Sequence, residues 1–185
     1  LFSILLIHFI FNFGYSQVKI LEKAPKQYSV ELGYKYIYSS GFENKASQGY
    51  GILLDYSWML SGFVNKHKVF LSVPLGYSYM MPDSETDEPI SILNYGWTVR
   101  HELLKNKKNV PFLGYALLLN QLRIENIDGS VFGHQTKFEL GYNFRNDKKV
   151  IYFAKIEYSF TRFPSLGNKK SNKIHAVEVK VGFRF

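Results

Sequence analysis

The sequence predicts an all-β, eight-stranded, antiparallel up-and-down transmembrane β-barrel, and three observations predict it. From residue 27 onward, apolar and polar side chains alternate with the strand period of two. The alternating segments run to about ten residues or more, longer than the usual five or six of soluble sheets and matched to a tilted membrane strand. The apolar faces together carry about forty large side chains, whereas an eight-stranded barrel is just filled by a few layers of them. The bulky face must therefore point outward, into lipid.

Residues 1–16, "LFSILLIHFIFNFGYS", read as a secretory signal peptide lacking its first few residues. An apolar run from Leu1 to Phe13 leads to Gly14, Tyr15 and Ser16, and cleavage is expected after Ser16. The run is shorter than the roughly 20 residues of a spanning helix. Residues 17–26 then form a periplasmic N-terminal segment, and 27–185 the barrel.

The first strand sets Tyr28, Val30, Leu32, Tyr34, Tyr36 and Tyr38 against Ser29, Glu31, Gly33, Lys35 and Ile37. In the second, Gln48, Tyr50, Ile52, Leu54, Tyr56 and Trp58 oppose Gly49, Gly51, Leu53, Asp55 and Ser57. The third sets Val69, Leu71, Val73, Leu75, Tyr77 and Tyr79 against Ser72, Pro74, Gly76 and Ser78. In the fourth, Leu93, Tyr95, Trp97, Val99 and His101 oppose Asn94, Gly96, Thr98, Arg100 and Glu102. The fifth is irregular. Leu113, Tyr115, Leu117 and Leu119 share a face, then Leu122 and Ile124 break phase, which predicts a bulge near Asn120. The sixth sets Phe132, His134, Thr136, Phe138, Leu140, Tyr142 and Phe144 against Gln135, Lys137, Glu139, Gly141 and Asn143. The seventh sets Tyr152, Ala154, Ile156, Tyr158 and Phe160 against Lys155, Glu157, Ser159 and Thr161. In the eighth, His175, Val177, Val179, Val181, Phe183 and Phe185 oppose Ala176, Glu178, Lys180, Gly182 and Arg184. Every connection is short, so neighbours should be antiparallel hairpins.

The polar faces describe an interior. They hold Gly33, Gly49, Gly51, Gly76, Gly96, Gly141 and Gly182, residues that weaken an exposed strand but suit a crowded, curved lumen. Their acids are Glu31, Asp55, Glu102, Glu139, Glu157 and Glu178; their bases are Lys35, Arg100, Lys137, Lys155, Lys180 and Arg184. Enclosed charges persist only when paired, so this balance predicts an ion network across the lumen, with Glu139 and Lys137 as one candidate couple. Leu53, Phe70 and Met80 look like scattered apolar exceptions.

At this point the chain resembles the small eight-stranded outer-membrane barrels, of the outer-membrane protein X and outer-membrane protein A membrane-domain type. The resemblance covers nearly all of 27–185. It extends to "VKVGFRF", where Val181, Phe183 and Phe185 match the alternating C-terminal signal read by the barrel-assembly machinery. The "SQ" junction and the Lys/Tyr-rich strands are similar to outer-membrane proteins of Bacteroidetes-type bacteria. The resemblance implies a Gram-negative outer membrane, periplasmic termini, and outward loops at 39–47, 80–90, 125–131 and 163–172. Tyr36, Tyr50, Tyr79 and Tyr158 would then form an outer aromatic girdle, and Tyr28, Trp58, Phe144 and Phe185 an inner one.

Chemistry is sparse. The absence of cysteine removes disulfides and thiolate metal sites. The net charge of +8 is dispersed along turns and strands, so nucleic acid is not an expected partner. No metal cluster, phosphate loop or soluble-type triad appears, and no cofactor is expected. Barrel-type lipid A deacylases use a His/Ser/Glu triad on the lipid face. This chain resembles them in His134 and Thr136, with Glu125 across the hairpin, but has His134-Gln135-Thr136-Lys137 where that family has His-x-Ser-Asn. The ordinary reading makes His134 an interfacial polar aromatic and Glu125 a loop residue. A palmitoyltransferase-like or ligand-binding barrel would need an apolar well that the charged interior does not offer. Lys169, Lys170 and Lys173 are candidates for contact with lipopolysaccharide phosphates. The expected function is a plugged barrel with a structural or interaction role, docking to lipid or to an envelope complex. The alternatives are a lipid A-modifying enzyme and a soluble lipid-binding barrel.

Overall fold

Alternating side chains give every strand two unlike faces, and eight such strands separate those faces by closing on themselves. The computed structural model describes residues 26–40, 46–60, 68–104, 108–125, 129–145, 150–164 and 172–185. The expected signal peptide, most of the segment that follows it, and Lys169 and Lys170 lie outside the described residues. The strands are β1 (Lys26–Ser40), β2 (Gln48–Leu60), β3 (Lys68–Met81), β4 (Ile90–Glu102), β5 (Asn109–Ile124), β6 (Val131–Arg145), β7 (Ile151–Phe163) and β8 (Asn172–Arg184). Each pairs antiparallel with its sequence neighbours, and β8 pairs with β1 to close the barrel. Closure leaves no unpaired edge, as a bilayer core requires. At the seam Tyr28 and Phe185 exchange backbone hydrogen bonds of 2.9 and 3.0 Å.

The expected bulge near Asn120 is absent. β5 runs through Asn120 in continuous register, with Asn94 on one side and Gly133 on the other. Leu122 stays in phase with Leu118 and Asn120 and points inward, 1% exposed. The alternation breaks there for another reason: at this end the lumen is itself apolar. A register shift lies instead between β1 and β8, at Ile37/Ser39.

The apolar faces point out. Leu32, Tyr50 and Val181 are 59%, 61% and 57% exposed, while Glu157 and Arg184 are each 1% exposed inside. A continuous outer belt of this kind is stable only against lipid. A soluble lipid-binding barrel, apolar face inward, is therefore excluded. On β8 the outward face from His175 to Phe185 spans ten residues, roughly 25 Å along the membrane normal at a tilt near 40°. That matches the apolar band of a transmembrane barrel.

The interior is filled in three tiers. At the loop end, where the 82–89 connection lies, Ile37, Ala46, Met80, Ile90, Ile92, Leu122, Phe163, Ile174 and Ala176 form an apolar plug. A charged tier fills the middle. At the terminal end, arginines stack on Phe70, Phe112 and Phe153. Phe70 and Met80 are thus members of organised layers, not isolated exceptions. Glycines make room for these groups: a methyl at Gly182 would sit 2.7 Å from the Phe153 ring, and one at Gly133 2.6 Å from the Phe163 ring.

Candidate functional site

The central tier is built from β1, β6, β7 and β8, whose inward positions coincide in height. Lys155 is its hub. Its Nζ donates to Glu139 Oε2 at 2.8 Å and lies 2.8 Å from both Glu31 Oε2 and Glu157 Oε1. The last two contacts are electrostatic without aligned hydrogen bonds, since neither acceptor oxygen meets hydrogen-bond geometry. Lys137 and Lys180 both reach Glu157 Oε2 at 3.1 Å. Glu178 links Lys180, at 3.5 Å, to Lys35, at 3.4 Å. Lys35 also donates to Ser78 Oγ across the lumen. The charges balance, with Lys35, Lys137, Lys155 and Lys180 against Glu31, Glu139, Glu157 and Glu178. Balance of this kind is what lets ions persist out of water.

Pairing differs from the expectation in two respects. Glu139 partners Lys155 rather than Lys137, because Lys137 and Glu139 stand side by side on one strand while Lys155 faces them from β7. Asp55, Arg100 and Arg184 form no ion pair among the described residues. Arg100 lies 4.6 Å over the Phe70 ring and donates to Gln27 Oε1 at 3.0 Å. Arg184 lies 4.1 Å over Phe153 and 5.3 Å from Phe112. A guanidinium is flat and weakly hydrated, so aromatic faces can hold it where an ammonium would need a carboxylate. Asp55 is buried, with Oδ1 lacking a hydrogen-bond partner, beside a void of about 10 Å³ that it lines with Arg100. That is space for about one water molecule.

Glu102 does pair, but with Arg145 at the end of β6. Counting inward positions along β6 from Lys137 reaches Arg145, so the strand period contained this signal. Glu102 also accepts from Asn143 Nδ2 at 2.9 Å, and Asn143 Oδ1 accepts from Arg184 at 2.7 Å.

The residues weighed for catalysis are not assembled. His134 and Thr136 both lie on the outward face of β6. His134 pairs with Leu119, whereas Glu125 lies six residues beyond Leu119, roughly 20 Å along the strand. The Glu125 amide is instead bonded to the Pro89 carbonyl at 3.0 Å, at the rim. Val181, Phe183 and Phe185 face outward on β8, and Phe185 stacks on Phe183 and Tyr28. Lys173 is exposed near the loop end of β8.

A closed sheet with an apolar outer belt and a filled, charged lumen defines a transmembrane β-barrel of the outer-membrane type. Solved structures share this fold. Neisserial surface protein A is 13% identical, with 86% of this chain and 95% of that one covered at a TM-score of 0.65. The outer membrane protein OprG from Pseudomonas aeruginosa is 12% identical, with 87% and 95% covered at 0.52. No protein-family model matches the sequence, and no curated protein does. The likeness is therefore one of fold.

Proposed function

We propose that the protein is a sealed, non-enzymatic barrel of a Gram-negative outer membrane, acting as a structural or docking element of the envelope. The N- and C-terminal ends of the barrel and the connections around 61–67, 104–109 and 146–149 face the periplasm in this reading. The observation that supports it is the lumen, stacked from apolar plug through ion tier to arginine–aromatic tier. The interior voids lined by Glu31 and Asp55 and by Lys35 and Phe163 are about 10 Å³ each, far too small to conduct.

The direct test is conductance. Purified barrel in planar bilayers should give no steady ion current; stable single-channel steps would overturn the sealed reading. The enzyme alternative is tested by the lipid A mass spectrum of a deletion strain, which should match the parent. A strain difference of one acyl chain would instead assign chemistry to the lipid face. Recognition by the barrel-assembly machinery is proposed for Val181, Phe183 and Phe185. Deleting Phe185 should lower the inserted fraction, read as heat-modifiable gel migration; unimpaired insertion would remove that role.

A further inference from the structure

At the loop end of the outward face, three basic side chains fall in one row across three strands. His134 on β6 pairs with Arg162 on β7, and Arg162 pairs with Lys173 on β8. All three are exposed. Strands lie about 4.8 Å apart, so the row spans about 10 Å. Arg162 and Lys173 are like charges set directly opposite one another, which destabilises a sheet unless something neutralises them. Among the described residues nothing does: the outward faces of β6, β7 and β8 contain no Asp or Glu, and none of the three side chains is ion-paired.

The row has a defined height. One outward step below it, the rings of Phe160 and His175 meet at a tilt with centroids 4.9 Å apart, and Tyr158 Oη lies 2.9 Å from His175 Nδ1. Tyr38 joins this cluster at 5.9 Å from His175. Tyr and other amphipathic rings gather where hydrocarbon gives way to headgroups. The row therefore stands one outward step above this aromatic cluster, about 5 Å along the membrane normal at a tilt near 40°, at headgroup height.

Below the Phe160–His175 step lies a groove of about 420 Å³ on the same three strands and β5, lined by Leu113, Phe138, Leu140, Ile156, Tyr158 and Val177 together with Gly114, Glu139 and Glu157. The opposite part of the rim is unsuited to anions, since the 82–89 connection carries exposed Asp83 and Glu85.

We propose that His134, Arg162 and Lys173 form a seat for the phosphate of a membrane-anchored lipid, whose acyl chain lies in the groove beneath. The seat rests on the membrane reading above, with the loop end in the outer leaflet. Arg162 supplies a planar fork suited to two phosphate oxygens, Lys173 a point charge, and His134 a ring N–H donor.

The test uses the full barrel, released from nanodiscs into neutral detergent with equal amounts of lipid A, dephosphorylated lipid A, phosphatidylglycerol and phosphatidylcholine. Native mass spectrometry reads the lipid retained. The barrel should retain lipid A over its dephosphorylated form by about tenfold. The triple variant H134Q/R162Q/K173Q should lose that preference. Lys26→Gln combined with Lys68→Gln, at the terminal end, should keep it. If the triple variant fails to fold, Arg162→Gln alone should weaken the preference about threefold and Arg162→Lys restore part of it. Equal preference in parent and triple variant would overturn the seat. So would displacement of lipid A by equimolar inorganic phosphate, which would mark a site for the free ion. Heat-modifiable migration of each sample separates these results from failure of the membrane reading, which would appear as loss of the folded band in the parent.

Discussion

Replacing Lys155 with methionine is expected to destabilise the barrel more than any other single change in its central tier. Its ammonium lies 2.8 Å from oxygens of Glu31, Glu139 and Glu157, and its side chain is 5% exposed. Methionine keeps the length of the side chain and removes the charge. Four carboxylates would then face the three ammonium groups of Lys35, Lys137 and Lys180. Glu31 and Glu139 would be left with no lysine contact of their own. Breaking a buried ion pair from one side costs about 3–5 kcal/mol, because the remaining charge is stranded. Urea unfolding in lipid vesicles, followed through Trp58 and Trp97 fluorescence, would measure the loss. The double change Lys155→Met with Glu139→Gln should recover part of it, since it removes one stranded acid. A single change that leaves the midpoint unmoved would mean that the tier does not act as a network.

The fold was legible because a barrel writes its two solvents into the sequence at period two. Val30, Leu32 and Tyr34 against Glu31, Gly33 and Lys35 already separate lipid from lumen. Partner choice inside the lumen was not legible. Glu139 is the next inward residue after Lys137, yet its counter-ion comes from β7, through a register that the period alone does not specify. The apolar plug was misread for a related reason. Where lumen and lipid are both apolar, as at Leu122, alternation vanishes and looks like a slip of one residue. The outer basic row was hidden because its members come from three strands. Only the pairing of His134 with Arg162 and of Arg162 with Lys173 brings them together.

The terminal tier should be nearly as sensitive, and its weak point is neutral. Asn143 is fully buried, accepting from Arg184 at 2.7 Å and donating to Glu102 at 2.9 Å. Glu102 in turn takes a hydrogen bond from Arg145. The amide is thus the joint between a cation held by phenylalanine faces and an anion held by another arginine. Leucine keeps the branching of the side chain but replaces both polar atoms with bulkier methyl groups. Asn143→Leu would strand a donor on Arg184 and an acceptor on Glu102, each costing about 1–3 kcal/mol and more for charged groups. A total of roughly 3–5 kcal/mol is expected in the same urea assay. Asn143→Asp should be less harmful, because it still accepts from Arg184, although its carboxylate faces Glu102 without a proton to donate. The pair Asn143→Leu and Glu102→Gln should be less than additive, since both act through one chain of hydrogen bonds. Were Asn143→Leu to fall within about 0.5 kcal/mol of the parent, the relay from Arg184 to Arg145 would contribute nothing to stability.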